Sequence, residues 1–548
     1  MQRAATLGDS LPEIGNRLHA DIVVNGTMRR LKDKLSVSVT LTDVESGHQL
    51  WSAVFDRDAE DVLAIQREVA NAVAGALRQK AEGGASTQQP REVLVYDNYL
   101  LGRFYRTRRT EKDLTRALGY FDKALQLDPL FVPANRGMAA AYLLLSFYGD
   151  EPLFEALENA QPFLERALEL DPDDEEVQAL IGLSHYLKGS PGLAEEYLMR
   201  TVATHPNLVE AWMWLGLARQ QQGRLLDALM PLKRAFELEP LMVTSAVNYA
   251  NALSWLGRDE EAIALLNNLA TTVDETSENQ AQLYRVLSNL QISQGNLADA
   301  YESASHALAV APQSALSKAN MAMISEFLGY SEQASKLSQA AFAQSVPGRG
   351  TMEYLARGTI MFPGMLPKDL LEARLAHLQR LPNVPEIEWR IANLDVGMSA
   401  YFAGELDKAT TTLRKALDGR DYPLTRADDD IFVCLSLVDA LRRSDRIEEA
   451  EDRLARCEEE LQNAGRQGWD SQALAISRVR LAVLRGDQQG ANQQLEALFD
   501  RGFRSKPLLL LDPILQTLQQ SSTYQHVLKE IVSAVDTARK EISKAENP

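Results

Sequence analysis

Two amphipathic stretches of this chain run into proline at positions 206 and 240, an interval of 240 − 206 = 34 residues. The interval comes back on both sides of that pair. Such a recurrence constrains the fold more than composition does, because each unit must bury its apolar face against the next and the core then grows with the chain. The clearest unit is VEAWMWLGLARQQQGRLLDALMPLKRAFELEP. Trp212, Leu215 and Gly216 recur at helical spacing, Gly223 marks a turn, and Ala228, Leu232 and Ala235 recur at helical spacing before Pro240. The spacing predicts two antiparallel helices, a glycine turn between them and a proline that ends the second. The small residues Gly216, Ala228 and Ala235 let the backbones approach toward the short end of the roughly 8 to 10 Å interaxial range.

This unit resembles the tetratricopeptide repeat, with its W..LG..Y opening, central glycine, A...F..A second helix and closing proline. The preceding unit carries Ile181, Gly182, Ala194, Leu198 and Pro206. The following ones carry Gly257 with Ala262, then Gly295, Ala300, Ala307 and Pro312, then Gly329, Ala334 and Ala341. Upstream, Gly102, Ala117, Phe121, Ala124 and Pro129 repeat the pattern with a longer loop between helices, and another such unit closes in ENAQPFLERALELDP. The register breaks in SVPGRGTMEYLARGTIMFPGMLPKDL, where prolines and glycines crowd. It resumes around Gly397, Gly404, Ala409 and Ala416, then Leu437, Ala450 and Leu454, then Gly486, Ala491 and Leu495. The expected fold is mainly α: a tetratricopeptide-repeat α-solenoid in two blocks, residues 92–346 and 387–502. An irregular joint at 347–386 links them, and capping helices at 503–548 close the open end.

The first eighty residues differ in kind. DIVVNGTMRRLKDKLSVSVTLTDVESGHQLWSAVFDRD alternates apolar and polar residues at period two, with turns at Lys32–Lys34 and Ser46–Gly47. A short amphipathic helix, LPEIGNRLHA, precedes this strand meander, and a helix over AEDVLAIQREVANAVAGALRQK follows it. The result is a small α+β module at 1–80, with AEGGASTQQP as the body of a linker at 81–91. The module resembles the TolB-like module that precedes tetratricopeptide repeats in bacterial CadC-type transcriptional regulators and some class III adenylate cyclases. The matching residues are Gly26 to Arg29, Asp43, Gly47, Leu50, Trp51, Asp61, Ile65, Gln66 and Glu68. In that family a further strand and helix begin the module, behind a transmembrane segment and a winged-helix or cyclase domain. Residue one here falls inside the module, so the resemblance implies either part of such a regulator or a stand-alone relative with an incomplete sheet. An incomplete sheet offers an edge for strand addition by a partner.

Lys+Arg 57 against Asp+Glu 76 gives 57 − 76 = −19. Attraction to phosphates needs Lys and Arg that displace counterions, so direct nucleic-acid binding is not expected. The start lacks the apolar core of a signal peptide, and no run of about 18 apolar residues follows. The sequence therefore reads as cytoplasmic without a membrane span, whereas the family resemblance implies the periplasm. Cys434 and Cys457 lie on the two helices of one weak repeat. In an exported chain they form a candidate redox pair; otherwise they are buried thiols.

No catalytic constellation stands out. Histidines 19, 48, 185, 205, 306, 377 and 526 include no HExxH and no pair at metal-binding spacing. GxGxxG, GxxxxGK[ST] and GxSxG are absent, so neither a phosphate-cradling loop nor a nucleophile elbow has a candidate. No catalytic residue, metal or cofactor is expected. The acidic run Asp171–Glu176 lacks EF-hand spacing and sits where acids favour the next helix N-terminus. Arg103, Arg106, Arg108, Arg109, Lys112 and Arg116 form a basic cluster, read as a solvated loop or as a site for an acidic partner or phosphate.

In tetratricopeptide arrays the first helices line a concave groove. Helical spacing turns Tyr186, Leu187, Met213, Leu217, Gln220, Val247, Asn251, Trp255, Arg285, Asn289, Met323 and Phe327 toward it. Apolar pockets interleaved with amides suit an extended peptide or a helix. Trp255 and Phe327 are equally placed to pack between repeats. The function expected is a non-enzymatic protein- or peptide-binding solenoid, the sensory or interaction module of a bacterial signalling or transcriptional regulator. The rivals are the regulatory C-terminal part of a nucleotide cyclase and a stand-alone scaffold for assembling other proteins.

Overall fold

The computed structural model describes residues 22–31, 34–43, 49–58, 91–149, 151–273, 278–343, 366, 368–381, 384–419, 423 and 426–546. The helices expected in LPEIGNRLHA and AEDVLAIQREVANAVAGALRQK, the AEGGASTQQP linker and most of the glycine- and proline-rich joint lie outside these residues. The chain divides into two compact units, Met1–Asp97 and Asn98–Pro548.

Alternation at period two produces the described part of the first unit. β1 (Ile22–Leu31), β2 (Lys34–Asp43) and β3 (Gln49–Asp58) form an antiparallel meander in that order. Ile22 faces Asp43 and Leu31 faces Lys34 across the first pair; Lys34 faces Asp58 across the second. Val39 and Leu41, two residues apart, share one face of β2 and are buried, as the register of a one-sided sheet requires.

From Arg91 onward the described structure is helical, and its fold is a tetratricopeptide-repeat α-solenoid in two blocks. The first block comprises α1 (Arg91–Thr107) and α2 (Glu111–Leu127), α3 (Val132–Tyr148) and α4 (Leu153–Leu170), α5 (Glu175–Leu187) and α6 (Pro191–Thr204), and α7 (Val209–Gln221) and α8 (Leu225–Leu238). It continues with α9 (Val243–Trp255) and α10 (Asp259–Ala270), α11 (Glu278–Ser293) and α12 (Leu297–Val310), and α13 (Ala315–Phe327) and α14 (Ser331–Ala343). The second holds α15 (Lys368–Leu378), α16 (Glu386–Phe402), α17 (Leu406–Leu417), α18 (Ala427–Arg443), α19 (Ile447–Arg466), α20 (Gln472–Leu484) and α21 (Gln488–Asp500). α22 (Lys506–Leu511), α23 (Pro513–Gln516) and α24 (Ser522–Glu546) close the chain.

The two helices of a pair are buried differently. α6 buries Ala194, Leu198 and Val202 on one stripe and exposes Leu193, Glu196, Met199 and Arg200, the pattern of a helix with solvent on its far side. In α7 and α9 no residue is fully exposed. α7 packs on α5, α6 and α8, so its sides are taken by neighbours. A Cβ on Gly216 would stand 2.5 Å from Leu232 Cγ; glycine is what lets α7 and α8 close. Gly223 then turns the chain with φ 77°, a conformation that costs glycine little.

The second block lies alongside the first, running the same way and in step with it. Leu153 N–H donates to Glu388 Oε1 (3.1 Å), Trp469 Nε1–H to Gly223 O (2.8 Å) and Asp470 N–H to Trp255 O (2.7 Å). Gln472 Nε2–H donates to Ser293 O (2.6 Å), and Arg539 Nε–H to Leu328 O (2.6 Å). The carbonyls of residues 223, 255, 293 and 328 stand at the C-terminal ends of α7, α9, α11 and α13, where a helix leaves its last acceptors without partners. Donors from the second block, and Arg539 of α24, reach them. The segment expected as an irregular joint contains α15, whose Leu371 and Leu378 are buried, and Arg374 of that helix pairs with buried Asp395 of α16 at 3.1 Å.

Candidate peptide-binding face

The groove residues expected from spacing divide into two sets. Leu187, Met213, Val247, Met323 and Phe327 are buried in the continuous core of the helical unit. Tyr186, Leu217, Gln220, Asn251, Trp255, Arg285 and Asn289 are half-buried. Asn289 Oδ1 accepts from Asn320 Nδ2 (3.2 Å), and Asn320 also bonds Ser288 (3.0 Å), so α11 and α13 are tied by amides. Trp255 faces the second block: its ring stacks on Trp469 at 5.6 Å and the Arg426 guanidinium lies 4.6 Å from its centroid. Arg426 in turn contacts Asp428 and Asp429. Trp255 is thus a packing residue between the blocks. Tyr186, Leu217, Gln220 and Asn251 remain as a half-accessible line over α5, α7 and α9.

Near the N-terminal ends of these first helices lies a polar network that sequence spacing did not single out. Arg109, at the α1–α2 turn with φ 53°, is buried. Its guanidinium reaches Tyr148 Oη (3.4 Å) and Glu210 Oε1 (3.7 Å), and Tyr148 Oη lies 3.4 Å from Thr244 Oγ1. The turn of the first pair therefore meets the starts of α7 and α9, several repeats away. Burial raises the Glu239 carboxyl, the Glu210 charge adds to the rise and Arg109 opposes it. Arg136 makes a parallel bridge, to Asp174 (2.6 Å), Glu176 (3.1 Å) and Tyr99 Oη (3.3 Å). Asp174 caps α5 as well, accepting from Val177 N–H at 2.8 Å. Of the basic cluster, Arg108 and Arg116 both approach Asp113, at 3.3 and 3.5 Å.

Cys434 and Cys457 are joined in a disulfide with Cα atoms 5.9 Å apart, tying α18 to α19. His185 stacks on Tyr197 (5.4 Å) and His306 lies against Tyr284 (4.1 Å); both are repeat-packing rings. Among the described residues no group of three His, Cys, Asp or Glu side chains is placed to hold a metal ion, and no helix is long and apolar enough to cross a membrane. The face offers amide donors and acceptors beside apolar and aromatic surface, with two arginines already neutralised by carboxylates. Donors, acceptors and apolar surface of this kind can hydrogen-bond and pack against an extended chain.

No protein-family model matches the sequence. A protein of Rhizobium meliloti (strain 1021) named "Putative adenylate cyclase 3" is 29% identical over 138 residues, which is 24% of this chain. The chain spans only 22% of the length of that relative. Among solved structures, a thermophilic TPR protein of Thermus thermophilus is 23% identical over 31% of this chain and 90% of its own, with a TM-score of 0.28. YrrB, described as a TPR protein with an unusual peptide-binding site, is 24% identical over 32% of this chain and 83% of its own, with a TM-score of 0.22. Human IFIT1, solved as a dimer with PPP-AAAA, is 13% identical over 80% of this chain and 89% of its own, with a TM-score of 0.37.

Proposed function

We propose that the chain is a non-enzymatic protein- or peptide-binding solenoid, the sensory or interaction module of a bacterial signalling regulator. The observation that carries this reading is the half-accessible line Tyr186, Leu217, Gln220 and Asn251 across three successive first helices. Apolar contacts there would seat side chains of an extended peptide while the amides bond its backbone. The test is selection from a random peptide library, followed by titration of the selected peptides into Leu217→Lys and Asn251→Ala variants. Binding is expected to weaken by about tenfold or more, the equivalent of about 1.4 kcal/mol. Peptides that bind both variants as tightly as the parent would overturn the assignment to this face.

A second reading, the regulatory part of a nucleotide cyclase, is favoured by the cyclase-named relative. The intact mass of the native protein from its source separates the two. A product well above 60.8 kDa that carries cyclase activity would favour the second.

A further inference from the structure

Two outward-facing second helices, remote in the chain, carry charge stripes of opposite sign and identical spacing. On α2, Lys112, Arg116, Tyr120 and Lys123 stand at i, i+4, i+8 and i+11, which places them on one face. On α19, Glu448, Asp452, Arg456 and Glu459 stand at the same intervals. All are exposed except Tyr120, which is half-buried. Lys112, Glu448, Asp452, Arg456 and Glu459 have no ion-pair partner among the described residues. Lys123 lies over the Tyr120 ring at 5.0 Å, and Arg116 approaches Asp113 at 3.5 Å. Each stripe is thus largely uncompensated within its own chain.

A second observation points the same way. At i+7 both stripes have a small residue, Gly119 on α2 and Ala455 on α19. Gly119 sits inside a helix, where glycine is less stable than alanine, and a Cβ added there meets nothing within 4 Å. The fold of the single chain does not need a glycine at this position. A helix from outside, packed close along the stripe, does.

We propose that α2 of one copy docks in parallel along α19 of a second copy. The register pairs Lys112 with Glu448, Arg116 with Asp452 and Lys123 with Glu459, and brings Arg456 to the Tyr120 ring, with Gly119 and Ala455 at the closest approach. An antiparallel alignment would set Arg116 beside Arg456 and is disfavoured. The contact is heterologous, joining two different surfaces, so it closes a two-fold pair if both contacts form together and otherwise continues as a chain. The chain's charge of −19 opposes association at long range. At about 0.1 M salt that repulsion is screened beyond roughly 10 Å, whereas pairs in contact keep most of their attraction. Exposed ion pairs are individually weak; the association is accordingly weak and lost at high salt.

Sedimentation velocity on the full chain tests this at about 0.1 M and about 1 M salt, where the screening length falls to about 3 Å. Self-association is expected at the lower salt only. Reversing either stripe, as Lys112→Glu/Arg116→Glu/Lys123→Glu or as Glu448→Lys/Asp452→Lys/Glu459→Lys, should weaken it by about tenfold or more. Mixing the two reversed variants in equal amounts should restore it, because each then carries the complement of the other. Gly119→Gln, which blocks close approach without changing charge, should weaken it too while the melting curve stays at or above that of the parent. A chain that is monomeric at both salts, association that survives either reversal, or failure of the mixture to associate would each overturn the proposal.

Discussion

At Gly216 a single methyl group sets how closely α7 and α8 pack. Alanine would favour the helix by up to about 1 kcal/mol, but its Cβ would stand 2.5 Å from Leu232 Cγ, and overpacking of this kind costs about 1–3 kcal/mol. Gly216→Ala is therefore expected to lower the urea midpoint without changing the slope. At Asp395 the decisive quantity is a proton. Burial pushes its carboxyl from 3.8 to about 7, against the pull of Arg374. The folded chain then holds a proton that the unfolded chain has released, so this group's contribution is complete below pH 3.8 and is lost as pH rises through 7. Urea titrations from pH 4.5 to 8 should show the parent losing stability with rising pH relative to Asp395→Asn, and a constant difference between the two would contradict this. Gly216 was legible in the sequence because a recurring glycine on an apolar helix face marks close packing. Arg109 was not, since nothing in a run of basic residues says which one turns inward.

Helix pairs were the most legible elements, because most carry their own period together with a turn glycine or a closing proline. α18 shows where that legibility fails. Nothing in the run Asp428, Asp429 and Asp430 marks it as interior, yet all three are buried, and Arg426 pairs with Asp428 and Asp429. Their position in the first turn suits the positive end of the helix dipole, but their burial depends on elements far away in sequence. The same helix carries the disulfide to α19, whose cysteines are 23 residues apart. A loop of that size gives a stabilisation of about 3 kcal/mol in the chain-entropy account. Reduction, or Cys434→Ser with Cys457→Ser, should lower the hydrogen-exchange protection of α18 and α19 while α1 to α8 keep theirs. Uniform loss of protection would show that the bond supports the whole solenoid.

On the scale of the helical unit, Trp469 is the residue to remove. It is 1% exposed, stacks on Trp255 and donates to Gly223 O. Truncating a buried tryptophan costs about 3–5 kcal/mol, and here most of that loss falls on the seam between blocks. The parent is expected to melt in one calorimetric transition, and Trp469→Ala in two, one for each block. A single transition shifted to lower temperature would instead place Trp469 in the core of one block alone. Lateral pairing could not be read from sequence, because four of the five bonds described end on main-chain carbonyls, and a carbonyl has no residue identity. An open row of repeats can lengthen by duplicating any one of them, since each unit needs only its neighbours. Two rows bonded rung by rung lose that freedom. Inserting one pair of helices in either row would carry every later donor past its acceptor, so this molecule can change its length only when both rows change together.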